Sequence, residues 1–236
     1  KPGPGEVLVR MKACALNHLD IWVRQGMPGV PIPMPHILGC ETAGIVEATG
    51  QKVLIAPGLS CGACQYCRDG WDSMCEEYKL MGYQVDGGYA ELVKCPKENI
   101  IPISDKWSFT EWASVPLVFL TAWHMLITRA GLKAGESVLV HAAGSGVGIA
   151  AIQIAKWRGA TVFTTASTPQ KLELAKSLGA DHAIDYNKED FSKSVRRLTK
   201  NKGVDVVFEH IGPQTWEKSL ASLSKMGRLV TCGATS

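Results

Sequence analysis

The sequence predicts an α/β protein in two parts: a β-rich, irregular first part, then a doubly wound parallel sheet. Three observations predict this. Up to about Ala113, short apolar runs are broken at close intervals by Gly and Pro. From Ser137 the pattern changes to short strands alternating with helical stretches. At the first strand-to-helix junction of this second part lies the glycine-rich run Ala143-Gly-Ser-Gly-Val-Gly148. Parallel strands need crossovers of a dozen residues or more, usually helices, so strand, helix, strand at this rhythm reads as a parallel sheet. The division is placed at 1–113 and 114–236.

In the first part the expected strands are residues 6–12, 43–48, 52–56 and 90–94. The segment Pro28-Gly-Val-Pro-Ile-Pro-Met-Pro35 suits neither a helix nor a sheet interior, because its prolines lack amide donors. Long helices are scarce, and this part reads as an irregular barrel or sandwich. In the second part, residues 137–141 form a short β-branched run followed by a helix over 146–158. A strand at 161–165 leads to a helix that opens with Pro169 and closes at Gly179, the usual start and stop residues. Residues 204–209 and 228–232 are further strands, with a helix over 213–222 between them.

Composition excludes several classes of function. Of 236 residues, 46% are hydrophobic and 20% charged, ordinary for a globular protein. A net charge of +3, with no basic cluster, argues against nucleic acid and membrane surfaces as partners. The most apolar stretch, 138–155, is interrupted by His141, Ser145, Gln153 and three glycines, and falls short of the roughly 20 apolar residues of a membrane span. A cytoplasmic location is expected. The chain starts abruptly at Lys1-Pro-Gly-Pro-Gly and ends at Ser236 just after an apolar run, which suggests a piece of a longer protein.

Four of the eight cysteines crowd into one segment, Cys61, Cys64, Cys67 and Cys75, spaced C-x2-C-x2-C-x7-C. Without a secretory signal this crowding favours metal over disulfides. Cysteines two residues apart can turn both thiolates toward one ion, and four thiolates close a tetrahedral zinc shell with no open position for water. The site is therefore expected to be structural, stabilising a lobe at about 58–78 that is too polar to fold alone. An iron–sulfur cluster uses similar spacings but usually carries a proline after a late cysteine, and none follows here.

The second motif is the turn after residues 138–141. Ala143, Ser145 and Gly148 hold the spaced small positions of a dinucleotide fingerprint: one shapes the turn, one lets a pyrophosphate approach the backbone, one lets the helix pack against the sheet. Its place between strand and helix gives the motif its weight. Gly144, Gly146 and Val147 complete the expected phosphate cradle. About 20 residues on, an NAD site carries a carboxylate for the ribose hydroxyls. Here the strand end reads Thr164-Thr-Ala-Ser-Thr168 with no acid, and Lys171 follows. Ser167 and Lys171 would attract a 2′-phosphate that a carboxylate would repel, so NADP(H) is expected, with NAD(H) as the alternative.

Together, Leu38-Gly-Cys-Glu-Thr-Ala-Gly44, the cysteine lobe, Asp86-Gly-Gly-Tyr-Ala-Glu91, residues 116–126 and the turn at 138–148 resemble the medium-chain dehydrogenase/reductase family over nearly the whole chain. Members between the zinc alcohol dehydrogenases and the quinone oxidoreductases are the most similar. The resemblance implies a GroES-like β domain followed by a Rossmann domain, with nicotinamide and substrate meeting in the cleft between them. It also implies a small-molecule substrate and a homodimer or homotetramer. Relatives carry a longer loop where Gly50 meets Gln51 here, and they continue past Ser236.

Departures from the family pattern bear on the chemistry. The resemblance aligns the family's catalytic zinc ligands with Asn17, Cys40 and Leu117, of which only Cys40 binds zinc well. Asp20 and Glu41, which support or flank that zinc in relatives, remain. A second zinc is expected to be absent, with His18 and His36 the poor substitutes at hand. The implied reaction is hydride transfer from NADPH to a carbonyl, or to the β-carbon of an activated double bond as in quinones and enones. Without zinc, the charge on the substrate oxygen would fall to hydrogen bonds from Asn17 and Thr121, and Thr121 matches a position that touches nicotinamide in the family. Tyr186 is placed beside the 2′-phosphate, and Ile211, Gly212, Cys232 and Gly233 face the cofactor from strand ends. Two alternatives stand beside this reading: a zinc-dependent alcohol dehydrogenase with a modified ligand set, and an NADP(H)-binding protein without turnover.

Overall fold

The structure, a computed structural model, describes residues 1–27 and 29–236; Pro28, within the expected proline-rich loop, lies outside the described residues. The chain divides into two compact units, Lys1–Leu117 and Val118–Ser236.

The first unit contains β1 (Glu6–Ala15), α1 (His18–Gln25), β2 (Glu41–Val46), β3 (Lys52–Ile55), β4 (Gly58–Leu59), α2 (Gln65–Arg68), β5 (Lys79–Leu80), β6 (Leu92–Pro96), β7 (Ile100–Pro102) and α3 (Phe109–Ala113). Five strands pair antiparallel in the order β6-β1-β2-β3-β7, and β4 with β5 form a separate hairpin. Val9, Val46, Val53, Ile55 and Val93 turn one face of the sheet into a buried cluster. Between β2 and β3 the chain makes a tight turn: the Val46 amide donates to the Gln51 carbonyl, and Gly50 takes φ 71°, a conformation glycine adopts freely. The two strands are thus joined by a closed hairpin. Gly44 is required by close approach, because a Cβ there would lie 2.4 Å from the Arg10 carbonyl oxygen across the β1–β2 pair.

From Pro116 the chain forms α4 (Pro116–Trp123) and a wider helical turn over His124–Arg129. The second unit continues with β8 (Ser137–Val140), α5 (Gly146–Trp157), β9 (Thr161–Ala166), α6 (Pro169–Ser177), β10 (His182–Asp185), α7 (Phe191–Leu198), β11 (Val204–Glu209), α8 (Trp216–Ser222) and β12 (Leu223–Thr231). All neighbours run parallel in the order β10-β9-β8-β11-β12. This is the Rossmann arrangement, and the first unit has the GroES-like form.

The central strands read as unbroken apolar runs because both faces are covered. Val138 and Val140 of β8 face a cluster with Ile152 and Ala155 of α5, while Leu139 faces Phe163, Phe191 and Val195 on the other side. Helix starts are fixed locally. Ser145 Oγ accepts from the Gly148 amide at 3.0 Å, Thr168 caps α6 ahead of Pro169, and Asp190 accepts from the amides of Ser192 and Lys193.

Four elements of the second unit depart from the sequence expectation. Strand β10 and helix α7 were not located: His-Ala-Ile-Asp is too short and polar to signal a strand, and α7 offers only two turns of amphipathic pattern. Helix α8 begins at Trp216 rather than 213, because residues 211–215 are drawn into hydrogen bonds with Glu209. Strand β12 begins at Leu223 rather than 228, and the positive φ of Met226 marks the irregular register between the two parts.

Replacing Gly44 by Ala forces the new methyl against the Arg10 carbonyl and Val9, and is expected to destabilise the first unit by about 1–3 kcal/mol. A thermal unfolding scan with a tryptophan signal reads this as a midpoint lowered by several degrees; an unchanged midpoint contradicts the tight β1–β2 approach.

Candidate functional site

The four expected metal ligands are brought together. The sulfurs of Cys61, Cys64, Cys67 and Cys75 all lie within 4.8 Å of one another, and no other group of three or more His, Cys, Asp or Glu converges in this way among the described residues. Cys64 and Cys67 sulfurs are 3.5 Å apart, and Cys61 and Cys67 sulfurs 4.0 Å. Zinc–sulfur bonds of 2.3 Å in a tetrahedron require about 3.8 Å between sulfurs, so the cluster fits the ion. Helix α2 carries Cys67 just past Cys64, and a short 3-10 turn delivers Cys75. Amides of Ala63 and Cys64 donate to the Cys61 sulfur at 3.4 and 3.3 Å, and push its thiol down to about 7.

A second group forms within the first unit where β1 and β2 meet α1. The Asn17 amide nitrogen Nδ2 donates to Glu41 Oε2 at 3.0 Å, and the Leu117 backbone amide donates to Glu41 Oε1 at 2.7 Å. Asp20 accepts from the backbone amides of Asn17 and Gly39 and from the Tyr89 hydroxyl. Both carboxylates are buried. Cys40 is 1% exposed, and burial, then Asp20, Glu41 and Cys14, push its thiol up to about 12. Asn17, Asp20, Cys40 and Glu41 therefore form one connected group, in which Leu117 contributes its backbone. Cys14 and Tyr89 belong to it and were missed from sequence; both pack against Gly39, where a Cβ would meet the tyrosine ring at 2.7 Å. His18 is exposed and lies beside Trp22, and His36 sits near Asp86 at 3.6 Å.

In the second unit the glycine-rich turn follows β8 directly. Ala142 is held at φ 50°, and the hydroxyl and carbonyl of Thr165 accept from the amides of Ala142 and Ala143. Gly148 has no room for a side chain, since a Cβ would lie 2.4 Å from the Ala142 carbonyl. Gly144 is the seat for Lys171, whose aliphatic stem would be 2.7 Å from a Cβ there. The first amides of a helix lack acceptors and its amino end attracts anions, so α5 with this open turn can hold a pyrophosphate.

Beside the turn lies a pocket of about 520 Å³ at the carboxyl ends of the strands, where His141, Ala142, Thr165, Tyr186, Ile211 and Thr215 line it. The sheet order reverses between β8 and β11, and open α/β sheets bind ligands at such a point. Tyr186 and Ile211 are both brought to this pocket. Gly212 and Gly233 line a neighbouring, more open depression, Cys232 is exposed beyond β12, and Thr121 stands half-buried on α4.

Sequence reasoning missed a buried group beneath that pocket. Glu209 is 0% exposed and accepts from the amides of Ile211 and Gly212, the Thr215 hydroxyl and the Ser219 hydroxyl. His141, 1% exposed, lies between Thr165 Oγ1 at 3.1 Å and Ser219 Oγ at 2.9 Å. A glutamate closing the apolar run Val204–Glu209 was the available signal.

Burial, only partly offset by Glu209, lowers the His141 pKa. For Glu209, burial would raise the pKa, but Ser219, His141 and the two amides outweigh it and hold it low. In both cases the unfolded chain takes up protons before the folded one, so stability rises with pH. Unfolding free energy is expected to fall as pH drops below about 6.5, the free histidine value, and more steeply below about 4.3. His141→Gln should flatten the upper part of this dependence in denaturant titrations; an identical slope contradicts the buried neutral imidazole. For the cysteine lobe, one zinc per chain is expected, and stripping it with a strong chelator should expose residues 58–78 to protease while both sheets stay protected. Unchanged cleavage of the lobe contradicts a structural metal.

Comparison with known proteins agrees with this geometry. The sequence profile of the alcohol dehydrogenase GroES-like domain matches residues 3–105, and that of the zinc-binding dehydrogenases matches residues 146–236. The chain is 35% identical to a quinone oxidoreductase of Pseudomonas aeruginosa over 99% of its own length and 66% of the relative's. It is 34% identical to an alcohol dehydrogenase of Geobacillus stearothermophilus, covering 97% of this chain and 70% of the relative. The crystal structure of an NAD-dependent alcohol dehydrogenase superposes with a TM-score of 0.96 at 46% identity, covering 100% of this chain and 71% of that one. The chain thus spans about two thirds of the length of these relatives, and it belongs to the medium-chain dehydrogenase/reductase family.

Proposed function

We propose that this protein transfers hydride between NADP(H) and a small carbonyl, quinone or enone compound. The observation that carries the reading is the glycine-rich turn at the switch point of the sheet, with Lys171 laid over Gly144 and no carboxylate at the end of β9. Ser167 follows β9, its carbonyl accepting from Asn187 Nδ2 at 2.9 Å, and Tyr186 stands exposed at the end of β10. The Lys171 ammonium has no ionic partner among the described residues. A cation without a partner beside hydroxyls suits a 2′-phosphate, whereas an acid at the end of β9 would favour NAD(H). The relative of 46% identity is described as NAD-dependent, so under this reading the two would differ in their nucleotide.

The nicotinamide supplies or accepts the hydride, and the chain's own task is to orient the reactants and stabilise charge on the substrate oxygen. Glu41 uses one hydrogen of the Asn17 amide and thereby fixes its orientation. The other hydrogen of Nδ2 is the donor we assign to the substrate oxygen, and the Thr121 hydroxyl is the donor we assign on the nicotinamide side. A second reading, zinc held at Cys40, is favoured by one observation: two thiols, Cys14 and Cys40, interact with two carboxylates, Asp20 and Glu41. A measured content of two zincs per chain, with activity lost to chelators, would establish it over the first.

The whole protein should oxidise NADPH with quinones, enones or aldehydes, and bind NADPH more tightly than NADH. Lys171→Ala should weaken NADPH by roughly tenfold to a hundredfold, the worth of a charge-assisted hydrogen bond, and leave NADH nearly unchanged. Equal or tighter NADH binding by the unaltered protein overturns the nucleotide assignment. Absence of turnover with all three substrate classes overturns the enzyme reading.

A further inference from the structure

The hydrogen bonds around Glu209 have only one consistent arrangement of protons. An ionised carboxylate only accepts, so the Ser219 hydroxyl must give its hydrogen to Glu209. Ser219 Oγ then has only lone pairs to offer, and His141 Nε2 must carry the proton that meets it at 2.9 Å. His141 Nδ1 is left as an acceptor, filled by the Thr165 hydroxyl at 3.1 Å. Thr165 in turn accepts from the amide of Ala142. The chain of donors thus runs from the glycine-rich turn through β9, β8 and α8 to the end of β11. At its far end Glu209 holds the amides of Ile211 and Gly212 and the hydroxyl of Thr215.

From this we infer that Glu209, through Ser219 and His141, is a positioning residue for the nucleotide, fixing the spacing between the glycine-rich turn and the loop after β11. The inference rests on the proposed nucleotide-binding function and deepens it. The two segments it ties, at Ala142 and at Ile211 and Thr215, both line the same 520 Å³ pocket, as do His141 and Thr165. No lysine or arginine pairs with Glu209 among the described residues; its charge is held by hydroxyls, amides and the neighbouring imidazole alone. A buried carboxylate so surrounded enforces geometry, because any shift of either segment strips it of a donor it cannot replace. Strain stored at Ala142, a non-glycine residue at φ 50°, is held in place from the same chain.

The test is nucleotide binding to the whole protein, with zinc content measured alongside, for Glu209→Gln and Ser219→Ala. Glutamine keeps the shape but presents a donor to donors; alanine removes only the link between carboxylate and imidazole. Dissociation constants for NADPH, NADH and AMP should all rise, by at least about tenfold in Glu209→Gln and several-fold in Ser219→Ala. KM for nucleotide should rise in step while kcat at saturating nucleotide stays within about threefold, and Ser219→Thr should restore affinity by returning the hydroxyl. A purely structural role would lower the thermal midpoint but leave these constants unchanged in the folded fraction. If the unaltered protein binds nucleotide and both folded variants bind it equally well, this inference fails while the oxidoreductase reading stands. If the unaltered protein binds none of the three nucleotides, the oxidoreductase reading fails and this inference with it.

Discussion

The fold depends on what happens in the few residues after Val140. Strand β8 is covered on both faces, so its end cannot ravel into solvent, and yet α5 must start within six residues with its first amides left open. The chain meets this by placing Ala142 in the left-handed region, tying Ala142 and Ala143 to Thr165, omitting a side chain at Gly148 and capping with Ser145. None of these devices works alone. The cap needs Gly148 close by, Gly148 must be glycine because the Ala142 carbonyl crowds it, and that carbonyl belongs to the residue in the left-handed region.

The cysteine lobe solves a different problem. Between β4 and β5 the chain runs through Gln65, Arg68, Asp69, Asp72 and Glu76, and Cys75 is its buried residue. Such a segment buries too little apolar surface to offset the entropy of ordering its backbone. Four thiolates around one ion replace the missing core, and amide donors to the Cys61 and Cys75 sulfurs ease the gathering of negative charge.

Legibility from sequence followed the range of the interaction. The cysteine spacing and the glycine-rich turn are local: both ends of the constraint lie within fifteen residues, and both were read with their residues in place. The parallel sheet was readable because Val138–Val140 and Val206–Phe208 are apolar at every position, whereas β10 escaped notice with Ile184 as its one strongly apolar residue. The buried polar groups were not readable, since Glu209 meets His141 across 68 positions and Asp20 meets Tyr89 across 69. A carboxylate in a sequence does not say whether it will face water or a set of converging amides. For Thr121 and Cys232 the assigned role comes from relatives and not from any local pattern, one lying within α4 and the other just beyond β12.

The same distinction bears on the carboxylates of the first unit. Beside a metal, Asp20 and Glu41 would be expected to act on its ligands. Here each already has a full structural occupation: Glu41 joins Asn17 to the Leu117 backbone, and Asp20 joins the start of α1 to Gly39 and Tyr89. Removing either would orphan two or more donors, at about 1–3 kcal/mol for each one left buried without an acceptor. Their presence is therefore explained by folding whether or not a second metal binds. What distinguishes the possibilities is Cys40. A thiol raised to about 12 by burial, Asp20 and Glu41 stays protonated at neutral pH as long as no cation is near, whereas a bound zinc would itself supply the charge that displaces the proton. Asn17, neutral and oriented by Glu41, donates without losing a proton, which is why the donor role falls to it.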